Sequence, residues 1–342
     1  MRVLALAVRY LPGFCAGAET MLHSMLRALA ERGHQVDVSL SGQDGAPYDV
    51  DGVKVWPYVS KRDIWDHLPG ADVVVSQLEN SPRAASLGHW NGVPVVLVNH
   101  NSFLASKKVT VAPQGHVDLV VANSEWLAAD LRDWYAGQRR QPPQIVVCRP
   151  LVDPAEHATT PGDRVTLVNL RVDEPNPDGE GAVGKGGALF RRLAERMPDI
   201  PFLGVTGAYG VQQDMSGLDN VEVLPHVPHD QMREQVWSRT RVLLVPSSYE
   251  SWGRVGTEAI CSGIPVVAHP TPGLRESLAA GGIFVDREDA DAWAAAITDL
   301  SDPEVYASAS ARALARAAEL DPAEDLARWC EAVEAIAGRR DR

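Results

Sequence analysis

The chain alternates short apolar runs with longer stretches in which apolar residues recur every three or four positions. "VLALAV" at residues 3–8 is a continuous apolar run, as in a strand buried on both faces. The loop "RYLPGFCAGAET" follows. Met21, Leu22, Met25, Leu26 and Leu29 then mark one face of a helix over about residues 19–31. Gly33 stops that helix and a second strand begins at Val36, which makes a βαβ crossover. "DVVVSQL", "VPVVLVNHN", "DLVVANS" and "QIVVCRP" are further short apolar runs, each bounded by turn residues with room for helices between. The first half therefore reads as an open parallel sheet with helices on both faces.

Residues 149–163, "RPLVDPAEHATTPGD", carry three prolines among polar residues and read as an interdomain linker. The pattern then restarts with "RVTLVNL", "PFLGVTG", "VEVLPHV", "RVLLVPS" and "IPVVAH", with helical stretches between them. From about residue 289 the chain is Ala-rich and helical. The stretch "RVDEPNPDGEGAVG" at 171–184 is acidic and rich in Gly and Pro, and is expected to be mobile. The prediction is α/β, with two Rossmann-like doubly wound domains over residues 1–155 and 160–320, facing across a cleft. In such sheets ligands sit at the carboxyl ends of the strands.

A length of 342 residues suits two domains, and 45% hydrophobic with 23% charged residues suits a globular protein. Residues 1–162 carry 14 basic and 16 acidic side chains; residues 163–342 carry 18 and 29. That balance argues against a nucleic-acid-binding face but leaves room for a local phosphate pocket. Cys15, Cys148, Cys261 and Cys330 lie far apart without a C-x-x-C pair, so buried free thiols are expected and a zinc site is not. The opening run reads as a strand and not as a secretory leader, and "VPVVLV" is too short to span a bilayer. A cytoplasmic protein is expected, with peripheral membrane contact left open.

The candidate chemistry concentrates in "PSSYESWGRVGTEAICSGIPVV" at 246–267. A strand leads into the loop "YESWG", and a helix follows Gly253, with Gly263 as its expected terminator. Backbone N–H groups at a helix start favour an anion, and glycine lets a phosphate come close. Glu250 precedes that start and Glu258 lies about a turn and a half beyond it. A carboxylate accepts two hydroxyl hydrogen bonds at once, which suits a vicinal diol. Phosphate between, diols at each end, describes a sugar nucleotide.

The run "ESWGRVGTEAICSGIPVV" with "GLRESL" resembles the signature of family 4 of the retaining glycosyltransferases, which have the GT-B fold. The signature is E-x-[FW]-G, a second Glu followed by Ala with seven residues between the glutamates, then a small residue, Gly and x-P-V-V. The resemblance implies that Glu250 contacts the transferred sugar, that Glu258 binds ribose hydroxyls, and that Trp252 lines the sugar pocket. It implies that backbone N–H groups of Gly253, Arg254 and Val255 hold the diphosphate. "GAETMLHSMLRALAERGHQVDV" looks like the family's glycine loop and first helix, with Gly17 either near a ligand or an ordinary turn glycine. His100 stands where the family carries a histidine near the reacting centre, with Asn99 or Asn101 to orient it. Ser124 falls in the segment that lines the acceptor side. The usual phosphate-binding arginine is replaced by Asn169, with Arg171 two residues on. Lys185 and Gly186 keep the family's K-G, and Gly207 ends a strand facing the same cleft. The helices of about 321–342 are expected to pack back on the first domain.

His226 and His229 form a conceivable metal pair, but the resemblance implies no metal and no cofactor beyond the nucleoside-diphosphate sugar itself. Hexosyl or N-acetylhexosaminyl transfer with retention is the expected reaction. A sugar-nucleotide epimerase, a glycosyl phosphorylase and a non-catalytic sugar-nucleotide-binding protein stay open as alternatives. A dinucleotide oxidoreductase does not fit, because no G-x-G-x-x-G follows the first strand. A lipid-linked glycan, a small metabolite or a protein could be the acceptor. The basic pairs Lys61 with Arg62, Lys107 with Lys108 and Arg139 with Arg140 read as solvated surface.

Overall fold

The structure is a computed structural model and describes residues 1–14, 16–57, 67–112, 117–138, 142–179 and 181–338. Cys15, Lys61, Arg62, Arg139 and Arg140 lie outside the described residues. The chain forms two units, one of residues 1–151 with 322–342 and one of residues 152–321.

The first unit is built on β1 (Arg2–Ala7), β2 (Gln35–Leu40), β3 (Tyr48–Val50), β4 (Val53–Trp56), β5 (Val73–Gln77), β6 (Val95–Asn99), β7 (Leu119–Ala122) and β8 (Gln144–Val147). Their order is β3-β4-β2-β1-β5-β6-β7-β8, parallel except for β3 against β4. The continuous Val and Leu runs produce this arrangement, because an inner parallel strand is covered on both faces. Val3 and Ala5 pack with the helix Gly17–Glu31 on one face; Leu4 and Leu6 pack with Ala84 and Leu127 on the other. The C-terminal helix Pro322–Ala337 belongs to this unit. Its Trp329 is buried and donates to the Met25 carbonyl at 2.8 Å, and its buried Asp325 accepts from the Arg149 backbone N–H at 2.9 Å.

The second unit has β9 (Arg164–Val168), β12 (Phe202–Val205), β13 (Val221–Leu224), β14 (Thr240–Val245), β15 (Val266–Ala268) and β16 (Gly282–Phe284) in the order β13-β12-β9-β14-β15-β16, all parallel. Its faces are covered by two apolar clusters, one around Trp237, Ile260 and Leu274 and one around Phe190, Phe202 and Trp293.

Two segments differ from the sequence reading. Residues 149–163 are not a bare linker. Asp153 accepts from the Ala155 N–H at 2.8 Å and Pro154 starts a short helix to His157, whose ring is buried in the second unit. An Asp–Pro pair supplies an N-cap and a preset first helical φ. In the stretch at 171–184, β10 (Glu174–Pro175) pairs antiparallel with β11 (Ala182–Val183). Its end is tied down by Gly184 N–H to Ser248 Oγ at 3.0 Å and Ser248 N–H to the Gly184 carbonyl at 3.1 Å. Cys148, Cys261 and Cys330 are buried free thiols. Among the described residues no helix is long and apolar enough to cross a membrane.

Candidate active site

In the second unit β9 and β14 are neighbours, and the chain leaves them toward opposite sides of the sheet, to β12 and to β15. The crevice beyond such a pair is the switch point where open α/β sheets bind ligands. The segments that follow β9 and β14 carry the predicted residues.

After β14 the chain runs through Ser247, Glu250 and Trp252 to Gly253, which precedes the helix Arg254–Ile260. Gly253 has φ +86°, and a Cβ there would lie 2.4 Å from Leu274 Cδ2. Only glycine fits that turn. The helix Pro272–Leu278 clamps the loop from the side. A Cβ on Gly273 would lie 2.3 Å from the Ser251 carbonyl carbon, Ser277 Oγ donates to the Trp252 carbonyl at 2.6 Å, and Thr271 Oγ1 donates to the Glu250 carbonyl at 3.4 Å.

Lys185 arrives from the other side. Gly186 takes φ +83° and would place a Cβ 2.4 Å from Pro246 Cγ. This close approach brings Lys185 Nζ into an ion pair with Glu250 Oε1, which also accepts from Ser247 Oγ at 2.9 Å. Both partners keep some exposure, 29% for Lys185 and 14% for Glu250, so a ligand can reach them.

Glu258 is 4% exposed. Burial raises its carboxyl pKa, and Arg254 opposes that rise. Arg254 Nε lies 2.8 Å from Glu258 Oε1, an ion pair held by charge more than by hydrogen-bond alignment. Arg254 also donates through its second nitrogen to His229 Nε2 at 3.0 Å. A guanidinium can only donate, so His229 is neutral with its proton on Nδ1, 3.9 Å from Glu258 Oε1. Burial first and Arg254 second push the His229 pKa down to about 3.

The His226–His229 pair does not form, since His226 is exposed and the neighbour of His229 is His157, with ring centroids 5.0 Å apart. Glu156, His157 and His229 offer ligand atoms within 4.8 Å of one another. Both His157 nitrogens are buried without a hydrogen-bond partner, and burial lowers its pKa to about 4. The Arg254 charge bears on both rings, and it opposes a cation there.

Asn169 follows β9 with φ +77° and accepts from the Arg171 N–H at 3.1 Å. Gly207 lies against it, for a Cβ would fall 2.2 Å from Asn169 Oδ1. The Arg171 guanidinium pairs with Glu174 in its own hairpin and lies 5.5 Å from the Tyr209 ring centroid. Trp252 does not line an open pocket. It is 2% exposed, with a buried and unpartnered Nε1, and supports the loop from beneath. Val255 packs partly buried against the core.

In the first unit, Gly17 opens its helix and nothing lies within 4 Å of a Cβ built there. His100 follows β6. Its Nε2 donates to Gln77 Oε1 at 2.7 Å, and burial lowers its pKa to about 4. Gln77 therefore does what Asn99 or Asn101 was expected to do. Asn101 Oδ1 instead accepts from Phe103 N–H at 3.1 Å and Ser106 Oγ at 2.8 Å at the start of the next helix, while Asn99 is buried with an unpartnered Nδ2. Ser124 is not on an open surface. It is fully buried and caps the helix Glu125–Ala136, accepting from Leu127 N–H at 3.1 Å.

Sequence reasoning missed Ser247, Thr271, His157 and Gln77, and quoted Gly273 and Ser277 within "GLRESL" without giving them a role. Thr271 had a signal, since "TPG" before a helix is a cap with proline at the first position. The others depend on which distant segments meet.

Two family models match. "Glycosyltransferase Family 4" covers residues 16–156 and "Glycosyl transferases group 1" covers residues 213–319, which includes Glu250 and Glu258. Among curated proteins, the D-inositol 3-phosphate glycosyltransferase of Corynebacterium urealyticum is 27% identical over 213 residues, 54% of this chain and 49% of the relative. That of Segniliparus rotundus is 31% identical over 248 residues, 61% of this chain and 53% of the relative. The chain thus spans about half the length of these curated relatives. Among solved structures, HepE of Anabaena in complex with UDP-glucose matches with a TM-score of 0.74 at 18% identity, over 98% of this chain and 100% of HepE. Sucrose-phosphate synthase from Thermosynechococcus elongatus matches with a TM-score of 0.68 at 18% identity, over 99% and 97% of the two chains. The fold is GT-B, as in these neighbours, and both matching family models are models of glycosyltransferases.

Proposed function

We propose that the protein is a retaining glycosyltransferase that moves a hexosyl or N-acetylhexosaminyl group from a nucleoside-diphosphate sugar to an acceptor hydroxyl. The observation that carries this is the Lys185–Glu250 pair beside the Gly253 turn, one helix turn from the buried Glu258. Each member of the pair neutralises the other until a donor arrives. The diphosphate then takes Lys185 and the N–H groups of Arg254 and Val255, and Glu250 turns to the hydroxyls of the sugar. Glu258 accepts from the ribose diol.

The anomeric carbon–oxygen bond to the diphosphate breaks while the acceptor oxygen bonds the same face of that carbon. The acceptor's proton passes to the departing phosphate oxygen. Positive charge grows on the sugar and negative charge on the diphosphate. Lys185 and the helix start stabilise that anion, and no metal is required for it. The residues do not name the base or the acceptor. UDP is the first nucleotide to try, because the HepE neighbour is a UDP-glucose complex.

The test is a thermal-shift panel of UDP, GDP, ADP, CDP and dTDP with NAD as control, followed by product analysis with the matching sugar donor. A nucleotide at a hundred times its Kd adds about 2.7 kcal/mol of stability, which reads as a shift of a few degrees. Stabilisation by one diphosphate, lost in Lys185→Ala, supports the reading. Stabilisation by NAD alone overturns it. Inversion at the anomeric carbon of the product overturns retention.

A further inference from the structure

We infer that Arg254 is a positioning residue of the donor site: anchored on His229, its guanidinium holds the buried Glu258 ionised and aimed, so that both carboxylate oxygens can accept from a ligand diol. This role rests on the reading of the site as one for a nucleotide sugar.

Three observations point to it. Arg254 is the first residue of its helix, where a cation runs against the helix dipole and contributes unfavourably to the helix itself. What offsets this is Glu258, one turn on in the same helix, with Oε1 2.8 Å from Arg254 Nε. Next, the guanidinium is fixed at two points, since it also donates to the His229 ring. A guanidinium anchored by a hydrogen bond on His229 and by charge on Glu258 fixes where the positive charge sits against the carboxylate. Finally, Glu258 is 4% exposed, and burial favours a protonated carboxyl. A protonated carboxyl gives one oxygen to a proton it must donate, so it can no longer accept two hydroxyls at once.

The other titratable groups near Glu258 do not replace Arg254. Glu156 repels it, His229 is neutral, and Cys261 at the end of the same helix is itself pushed up by burial and by Glu258. The arginines of the flanking helices turn elsewhere. Arg275 lies over the Phe284 ring, and Arg316 donates to the Glu276 and Ser277 carbonyls.

Two measurements test this on the full chain. The first needs no nucleotide: carboxyl ¹³C NMR of glutamate-labelled protein, with the Glu258 signal assigned by its loss in E258Q. In Arg254→Met the signal titrates at higher pH than in the native protein, because the charge that opposes the rise from burial is gone, and in Arg254→Lys most of that difference disappears. A Glu258 signal that ignores Arg254→Met overturns the inference whether or not any nucleotide binds. The second is calorimetric binding of UDP, or of whichever diphosphate the panel selects. Arg254→Met is expected to bind about tenfold more weakly at pH 6.5, with the loss shrinking as pH rises to 9, since one pKa unit is a factor of ten. E258Q is expected to lose affinity equally at every pH. A loss in Arg254→Met that is the same at every pH would overturn positioning in favour of direct contact with the ligand. Native protein that binds no diphosphate, with the NMR behaviour as expected, would remove the nucleotide reading and leave the Arg254–Glu258 coupling.

Discussion

The two units present the same kind of edge, the carboxyl ends of parallel strands, and furnish it differently. In the second unit the edge carries charges paired with each other, Lys185 with Glu250 and Arg254 with Glu258. In the first unit the corresponding edge mixes charges, with Arg9 and Glu79 just past β1 and β5 and both bearing on buried Glu19, with neutral hydrogen-bonded groups. Gln77 holds His100 at 2.7 Å, Asn80 donates to Ser41 at 3.1 Å, and Ser106 donates to Asn101 at 2.8 Å. The paired charges of the second unit suit the donor chemistry proposed for it. A diphosphate needs fixed positive charge, and stored ion pairs supply it without leaving isolated charges in a half-buried place. One topology thus carries two different sets of side chains at its strand ends.

The sharpest way to break this contrast is to remove one charge. Lys185→Ala is expected to lower turnover by about 10²–10³-fold, the usual effect of deleting one group that stabilises a developing anion. Steady-state kinetics checks it, and a loss of only a few-fold would move the chemistry away from the charged edge. Next in size is Gly253→Ala. It forces a Cβ toward Leu274 in a left-handed turn and is expected to destabilise the second unit by about 1–3 kcal/mol. Denaturant unfolding measures that, with donor affinity falling in parallel.

In the first unit the expectation concerns protons. His100 has its pKa lowered to about 4 by burial, whereas the unfolded ring takes a proton near 6.5. The unfolded state therefore binds more protons between those values, and stability falls as pH drops from about 6.5 to 4. His157 and His229 act in the same direction. His100→Asn should flatten the decline of Tm over that window, and a native pH–rate profile with a limb near 6.5 that vanishes in this variant would show a ring that charges after all. The smallest effect belongs to Ser124→Ala. Losing this cap is expected to lower stability by about 1 kcal/mol with turnover nearly unchanged, and a large loss of turnover would return Ser124 to the acceptor side.

Much of the fold was legible because its signals are local. Apolar runs of strand length, helical spacing and Gly or Pro punctuation mark a parallel sheet whichever partner each strand finds. The Glu250–Gly253–Glu258 stretch was legible for the same reason, since a strand, a glycine turn and a helix start follow in a few residues. Trp252 and Ser124 were misplaced because exposure is not a property of sequence neighbours. Trp252 looks like a pocket wall beside Glu250, yet the helix Pro272–Leu278 passes over that loop and the ring turns inward. Arg171 looks like a spare phosphate ligand, but a hairpin invisible in its Gly- and Pro-rich composition supplies Glu174 as its partner.

By itself the sequence determined the class of fold and the strand–turn–helix order that spaces Glu250 and Glu258, because strand, turn and helix starts are set by residues close together in the chain. Only the tertiary structure decided the charge state and partners of those glutamates. Lys185 and Glu250 are 65 residues apart and His229 and Arg254 are 25 apart, so their meeting depends on strand order and on glycines that let backbones touch. Burial, which pushes His100, His157 and His229 toward neutrality and Glu258 toward its proton, arises only when the two faces of each sheet are covered.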